Sequence, residues 1–276
     1  MKENDIKPNV LDYEDICELA PFFKGKRKLV NFLFKLLKID KVNGLHSNNC
    51  KNTGAPFTKG LLKDLGITVV VENENVLDNL PEGAFITISN HPFGALDGII
   101  LISLLASRRK DYKVMVNLLL NYITAMRSNF IAVDPVASDD PEKKLVSMRG
   151  IREAMMHVKK GHPLGFFPAG SVSKINAKLK IDDRDWQPTI IRLIQQMKVP
   201  VIPIYFHGYN SLFSYIVGRI CWPLRSLMLP SEVFRKKGAT MRVTIGNPIS
   251  VEEQSKYESV EELTKFLKNA TFSMKK

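Results

Sequence analysis

The sequence predicts an α/β fold, a mainly parallel central sheet flanked by helices, with an N-terminal amphipathic helical region. Three observations lead there. From Gly66 onward short apolar runs alternate with stretches of helical periodicity, several runs are bounded by Gly, Pro or Asn, and no internal repeat or low-complexity tract breaks the alternation. With 276 residues, 45% of them hydrophobic and 25% charged, the chain can bury an ample core without staples, and no stretch reads as a linker.

In chain order, Met1 to Asp15 is polar and acidic; it lacks the positively charged start and apolar run of a secretory signal. From Lys24 to Lys41 the spacing predicts one basic amphipathic helix, with Lys24, Lys28, Asn31, Lys35 and Lys38 on a narrow face and Leu29, Phe32, Leu33, Phe34, Leu36, Leu37 and Ile39 filling the rest. Such a helix can lie in a membrane interface or pack on the core; its apolar arc, wider than one packed face needs, favours the interface. Strands are expected at Ile67–Glu72, Ala84–Ser89, Lys113–Asn117, Phe130–Val133, Leu164–Phe167, Val199–Phe206 and Met241–Gly246. Helices are expected between them at Leu96–Ser107, Leu118–Arg127, Pro141–Lys160 and Pro188–Lys198, with Val251–Asn269 as a closing amphipathic helix. The apolar stretch Ser211 to Pro230, interrupted by Arg219, Pro223 and Arg225, is too broken to span a bilayer, which needs about 20 apolar residues. It either dips into one leaflet with Trp222 at headgroup depth or forms a buried helix and loop. The resulting organisation is a helical, membrane-associating region over residues 1–65 and an α/β domain over 66–276.

Forty Lys and Arg against 28 Asp and Glu give a formal charge of +12. Such a surface is drawn to nucleic acid or anionic lipid, or simply keeps the protein soluble. Cys17, Cys50 and Cys221 show no paired spacing, which argues against a disulfide framework and a cysteine zinc site and points to a reducing, cytoplasmic compartment. No P-loop, Rossmann fingerprint or paired-histidine zinc helix is present.

Chemistry concentrates where the strand Ala84–Ser89 runs into Asn90-His91-Pro92-Phe93-Gly94-Ala95-Leu96-Asp97-Gly98. Ligands of open α/β sheets bind beyond the carboxyl ends of the strands. An imidazole there can take a proton from a hydroxyl while a carboxylate on its other nitrogen fixes the tautomer. The structural alternative is that His91 caps a loop and Asp97 starts a helix. A second cluster, Gly165-Phe166-Phe167-Pro168-Ala169-Gly170-Ser171, is again a strand entering a glycine turn, and Gly170 and Ser171 can present backbone N–H groups to an anion. It lacks the Gly-x-Ser-x-Gly pattern of a nucleophile elbow. A third, Val199-Pro200-Val201-Ile202-Pro203-Ile204, has the rhythm of a buried strand flanked by prolines.

In this order the clusters resemble the 1-acylglycerol-phosphate acyltransferase family, whose members carry Asn-His-x4-Asp, then Phe-Pro-Glu-Gly-Thr or Ser, then a proline-punctuated hydrophobic strand. The resemblance implies transfer of an acyl group from acyl-CoA or acyl carrier protein to a lysolipid hydroxyl, with no metal or further cofactor. It implies His91 as base with Asp97 as its partner, and substrate contacts from Asn90, Phe93, Gly94, Phe167, Pro168, Gly170 and Ser171. Three departures stand out. Five residues, not four, separate His91 from Asp97, an excess that Gly94 can absorb as a bulge. Ala169 replaces the usual Glu, and Val133 stands where an arginine commonly grips the acceptor phosphate. Arg127, Lys174 or Lys178 are the alternative grips. The pattern is similar to the bacterial, haemolysin-like subgroup in which Asn-His-Pro-Phe-Gly and Phe-Pro-Ala-Gly occur, which implies an ornithine- or glycine-lipid acceptor. Partners are then an acyl donor, a lysolipid and an anionic membrane surface, not nucleic acid, at the cytoplasmic side of the inner membrane, held peripherally or monotopically. The rivals are a lysophosphatidic acid acyltransferase, a hydrolase using the same pocket, and a basic nucleic-acid- or membrane-binding protein without catalysis. His46, His157, His162 and His207 read as surface or structural, with His207 closest to the expected mouth.

Overall fold

Seven short runs of apolar residues pair into one sheet in the computed structural model, which describes residues 6–134, 141–176 and 180–275, without the side chains of 141–143 and 222–224. The strands are β1 (Thr68–Glu72), β2 (Ile86–Ser89), β3 (Lys113–Asn117), β4 (Phe130–Val133), β5 (Leu164–Phe166), β8 (Val201–Phe206) and β9 (Thr240–Ile245); the short β6 (Lys174–Ile175) and β7 (Ile181–Asp182) form a separate antiparallel hairpin. All seven coincide with the expected strands to within two residues. The spatial order is β1-β9-β8-β2-β5-β3-β4, parallel throughout except where β8 meets β9. The sheet is therefore mixed and mostly parallel. Every residue of β2, β5 and β8 is buried, as expected of central strands covered on both faces.

Side-chain alternation along these strands feeds two cores. On one face α4 (Gly54–Asp64) and α6 (Ala95–Leu105) bury Phe57, Leu61, Leu96, Ile100 and Leu101 against Ile202, Ile204 and Val243. On the other, α7 (Pro141–Lys159), α8 (Pro188–Met197) and α12 (Val260–Phe272) bury Ala154, Val158, Ile191, Ile194, Leu263 and Leu267 against Ile86, Ile88, Leu164 and Phe166. Thr87, fully buried between them, has its hydroxyl satisfied by that of Tyr112 at 2.6 Å. The remaining helices are α1 (Tyr13–Leu19), α2 (Arg27–Leu36), α3 (Ile39–Asn49), α5 (Asn75–Asp78), α9 (Leu212–Ile220), α10 (Trp222–Arg235) and α11 (Val251–Gln254).

Three expected helices take another form. The segment Lys24–Lys41 is split: α2 ends at Leu36, Lys38 turns into the left-handed region (φ 59°), and Asp40 opens the first turn of α3, where its charge suits the helix dipole. Residues 118–129 form two 3-10 turns, Leu118–Tyr122 and Thr124–Asn129, instead of one α-helix; Asn117 caps the first, its side-chain oxygen accepting from the Leu119 N–H. The closing helix breaks before Ser259, whose hydroxyl and the Glu262 carboxylate form a capping box that starts α12 afresh. The stretch from Ser211 to Pro230 is helical, in α9 and α10; the Trp222 side chain lies outside the described residues.

The N-terminal helices leave apolar surface uncovered. In α2 only Val30 is buried, while Phe32 is 61% and Leu36 62% exposed. Along α9, Leu212, Ile216 and Ile220 recur every fourth residue and all are exposed, Ile220 to 82%. Among the described residues no helix is long and apolar enough to cross a membrane.

Candidate active site

Three central strands, β8, β2 and β5, end side by side, and their carboxyl ends release Phe206, Asn90-His91 and Phe167. Asn90 locks the first two together: its amide donates to the Phe206 carbonyl (2.9 Å) and its side-chain oxygen accepts from the Phe206 N–H (2.7 Å). Asn90 is thus a buried tie between strands. His91 follows, its ring stacked on Phe167 with centroids 4.2 Å apart.

The extra residue between His91 and Asp97 is absorbed by Gly94, which takes φ 86°, ψ −124° at the N-cap of α6, a conformation open to glycine. That twist brings Asp97, in the first turn of α6, back under the loop. Its Oδ2 accepts from His91 Nδ1 (2.9 Å), the Phe93 N–H (2.9 Å) and the Gly94 N–H (3.0 Å). The Asp97 side chain is 0% and the His91 side chain 17% exposed. Burial pushes the Asp97 carboxyl up; the His91 ring and the two backbone donors pull it down. A carboxylate at Nδ1 makes that nitrogen the donor and leaves Nε2 as the acceptor, the tautomer that can take a proton from a hydroxyl.

A second carboxylate, which sequence reasoning missed, holds the histidine's backbone. Asp183 Oδ1 accepts from the His91 N–H (3.2 Å) and the Ser173 hydroxyl (2.6 Å), and Oδ2 accepts from the Trp186 indole (3.4 Å). Ser173 in turn donates its N–H to the His91 carbonyl (2.9 Å). Burial pushes the Asp183 carboxyl up, opposed by the Ser173 hydroxyl and the His91 amide. Only its place just after an apolar-acidic pair, Ile181-Asp182, marks it in the sequence, 92 residues from His91.

The other expected site residues divide. Phe167 touches the dyad through its ring, and Phe93 is buried beside it with its N–H on Asp97. Pro168 is buried and accepts through its carbonyl from the Gln187 N–H. Gly170 (φ 65°) has no room for a side chain because the Gln187 amide occupies that space. Its N–H donates to the Phe167 carbonyl (2.9 Å), so the turn consumes the donor expected to face an anion. Ser171 is half-buried in the same turn, and Lys174 is exposed on β6. Arg127 is not brought to the dyad: it sits just before the amino end of β4, at the opposite end of the sheet, with Nε donating to the Asn121 carbonyl (2.7 Å). Val133 packs with the α7-side core, where a Cβ on Gly150 would meet it, whereas Asp97 belongs to the α6 face. Lys178 lies outside the described residues.

The remaining histidines are engaged elsewhere in the fold. His207 is tied to β9, with Nε2 donating to Thr244 Oγ1 (2.7 Å), whose own proton goes to Glu72, and Nδ1 facing Arg242 (3.3 Å). His46 is buried with Nδ1 donating to the Pro8 carbonyl (2.9 Å), His157 bonds the Pro163 carbonyl, and His162 bonds Asp111. No group of three or more His, Cys, Asp or Glu is placed to hold a metal ion among the described residues.

Comparison with known proteins adds to this geometry. A family described as Acyltransferase matches residues 14–276. The lyso-glycine lipid O-acyltransferase of Bacteroides thetaiotaomicron is 27% identical over 258 residues, 89% of each chain, and the protein of the same name from Phocaeicola vulgatus is 25% identical over 276 residues, 96% of this chain and 95% of the relative. The crystal structure of a 1-acyl-sn-glycerophosphate acyltransferase from Thermotoga maritima aligns with a TM-score of 0.47 at 16% identity over 78% of both chains. With a family match that runs from the first helix to the last residue and takes in both the His91–Asp97 pair and the loop beneath it, the chain belongs to this acyltransferase family and is an acyltransferase.

Proposed function

We propose that this acyltransferase moves a fatty acyl group from acyl-CoA or acyl carrier protein onto the hydroxyl of a lyso-aminolipid, a lyso-glycine lipid in the first instance, at an anionic membrane surface. The observation that carries the chemistry is the 2.9 Å His91–Asp97 hydrogen bond, which commits Nδ1 and leaves Nε2 as the base. The acceptor hydroxyl gives its proton to Nε2 as its oxygen attacks the thioester carbonyl. Asp97 stabilises the imidazolium, which returns the proton to the departing thiolate as the ester forms. Phe167 holds the ring's plane and the Asp183–Ser173 pair holds its backbone, so the base is positioned before substrate arrives.

The acceptor class is supported by what stands in place of a phosphate grip. Val133, where the family commonly has a phosphate-gripping arginine, lies on the α7 side of the sheet, and Arg127 lies at its far end, so neither position supplies the family's grip. The relatives' names point the same way. Membrane attachment through residues 1–65 and α9, at the cytoplasmic face of the inner membrane, is supported by the exposed Phe32 and Leu36 of α2, which carries the exposed Lys28 and Lys35, and by the exposed Ile220 of α9. The test is to supply the purified protein with each donor and either lyso-glycine lipid or lysophosphatidic acid at matched surface concentration. Faster ester formation on the lyso-glycine lipid is expected. Preferential use of lysophosphatidic acid would establish a phospholipid acyltransferase instead, and release of free fatty acid alone a hydrolase.

A further inference from the structure

Beside the dyad, between the β6–β7 hairpin and the α9–α10 pair, lies a cavity of about 160 Å³ lined by Lys174, Ile175, Arg184, Tyr215, Gly218, Arg219 and Arg225. Four of these are cations, and no acidic residue lines it among the described residues. Arg225 is 2% exposed, with its guanidinium 4.7 Å over the Tyr215 ring and its Nε toward the Ser214 hydroxyl (3.4 Å). Its stem runs through a slot that α9 opens at Gly218, where a Cβ would come within 2.3 Å of Arg225 Cδ. Burying a guanidinium is costly, and here three further cations, Lys174, Arg184 and Arg219, line the same cavity.

We infer that this cavity binds the carboxylate of the lyso-aminolipid acceptor. The inference rests on the acceptor class proposed above and names the residues that select it. Both fasteners of the His91 backbone adjoin a cavity cation: Ser173, which donates to the His91 carbonyl, precedes Lys174, and Asp183, which accepts from the His91 N–H, precedes Arg184. The hairpin therefore fixes the cations relative to the histidine loop, and the acceptor carries a hydroxyl and a carboxylate on one short amide-linked frame. A small headgroup fits a cavity of this size. The lipid's chain has a path over the exposed apolar face of α9, formed by Leu212, Ile216 and Ile220.

The experiment measures initial rates of the full-length protein with lyso-glycine lipid and with its carboxyl methyl ester, varying acceptor and donor separately. Arg184→Gln, Arg219→Gln and the double variant spare the buried Arg225, whose replacement risks the fold. Wild type should favour the free acid over the ester, and each variant should raise the KM for the acid by about 10–100-fold, the loss of one charge-assisted contact. The acid-over-ester preference should fall toward unity in the double variant, with the donor KM holding. A preference that survives in the double variant overturns the inference, as does a shift confined to the donor KM, which would assign the cavity to donor phosphates. Wild type that acylates neither form overturns the acceptor assignment itself, an outcome distinct from active protein with indifferent variants.

Discussion

Replacing Gly94 by alanine tests whether one backbone twist assembles the dyad. At φ 86°, ψ −124° the residue lies where a side chain is disfavoured, and holding alanine there costs about 1–3 kcal/mol. Space is the smaller obstacle: the new Cβ would meet Val172 Cγ2 at 3.3 Å and the Leu229 methyls at 3.5 and 3.6 Å, contacts that yield by a few tenths of an ångström. The escape route, rotating the peptide between Phe93 and Gly94, removes the Gly94 N–H from Asp97 Oδ2, a bond to a charged acceptor worth about 1.5–3 kcal/mol. Either way Gly94→Ala should lose about 2 kcal/mol, a fall in Tm of roughly 4–8 °C for a chain of this size. Displacement of the carboxylate that orients the base should cost on the order of 10²-fold in transfer rate. Calorimetry and a radiolabelled acyl-transfer assay read both. Gly98→Ala, on the same helix with nothing within 4 Å of the added carbon, should instead gain up to about 1 kcal/mol. An unchanged Tm together with transfer within a few-fold of wild type for Gly94→Ala would refute the role given to this twist.

His91→Ala should lower transfer by about 10²–10⁴-fold, roughly 3–5 kcal/mol on the barrier, with the unfolding transition retained; rates close to wild type would remove the histidine from the mechanism. Asp97→Asn should lose less, because an amide oxygen can still accept from His91 and the two backbone donors while no longer stabilising the imidazolium. Phe32→Asp with Ile220→Asp should reduce flotation with anionic vesicles, and added salt should weaken wild-type binding, since exposed charges are screened over about 10 Å at 0.1 M; insensitivity to both would place the attachment elsewhere. Burial lowers the pKa of His46 and His157 below 6.5, so the unfolded chain takes up protons first on acidification. Stability should be whole above about pH 6.5 and decline as pH falls through the lowered folded values, by up to about 1.4 kcal/mol per pH unit per histidine, and His46→Phe should flatten that slope in urea titrations.

The sheet was legible because strands covered on both faces need largely apolar runs, which Leu164–Phe166 and Val201–Phe206 supply, while Ile86–Ser89 keeps Ile86 and Ile88 with two small hydroxyl residues between and after them. The β6–β7 hairpin was not, since two residues per strand set up no periodicity. The turn at Lys38 is hidden because the apolar spacing continues across it from Leu36 and Leu37 to Ile39, and only backbone geometry reveals the reversal. The dyad could be read from its motif; its closure could not, because that depends on the conformation of Gly94. Asp183 was invisible for a different reason: a carboxylate's role here comes from folding a distant hairpin onto the histidine loop. Of the expected alternative phosphate grips, Arg127 failed on position, because it lies at the other end of the sheet, and Lys174 is carried on the β6–β7 hairpin; Val133, where the family's arginine is missing, faces the other side of the sheet.

The position of β9 sets an order on how the molecule can assemble. Among the described residues β1 pairs with β9 and with no other strand, and their contacts, such as that from the Asn73 amide to the Ile245 carbonyl, close a separation of 172 residues. During synthesis Thr68–Glu72 leaves the ribosome early and waits for Thr240–Ile245, while β2, β5, β3, β4 and β8 already have neighbours to dock on. Val70, 45% exposed even in the finished edge strand, is bare throughout that interval. Closing so long a loop late should make the last strand's arrival slow and leave that edge open to aggregation until it docks, which refolding followed at Val70 would read.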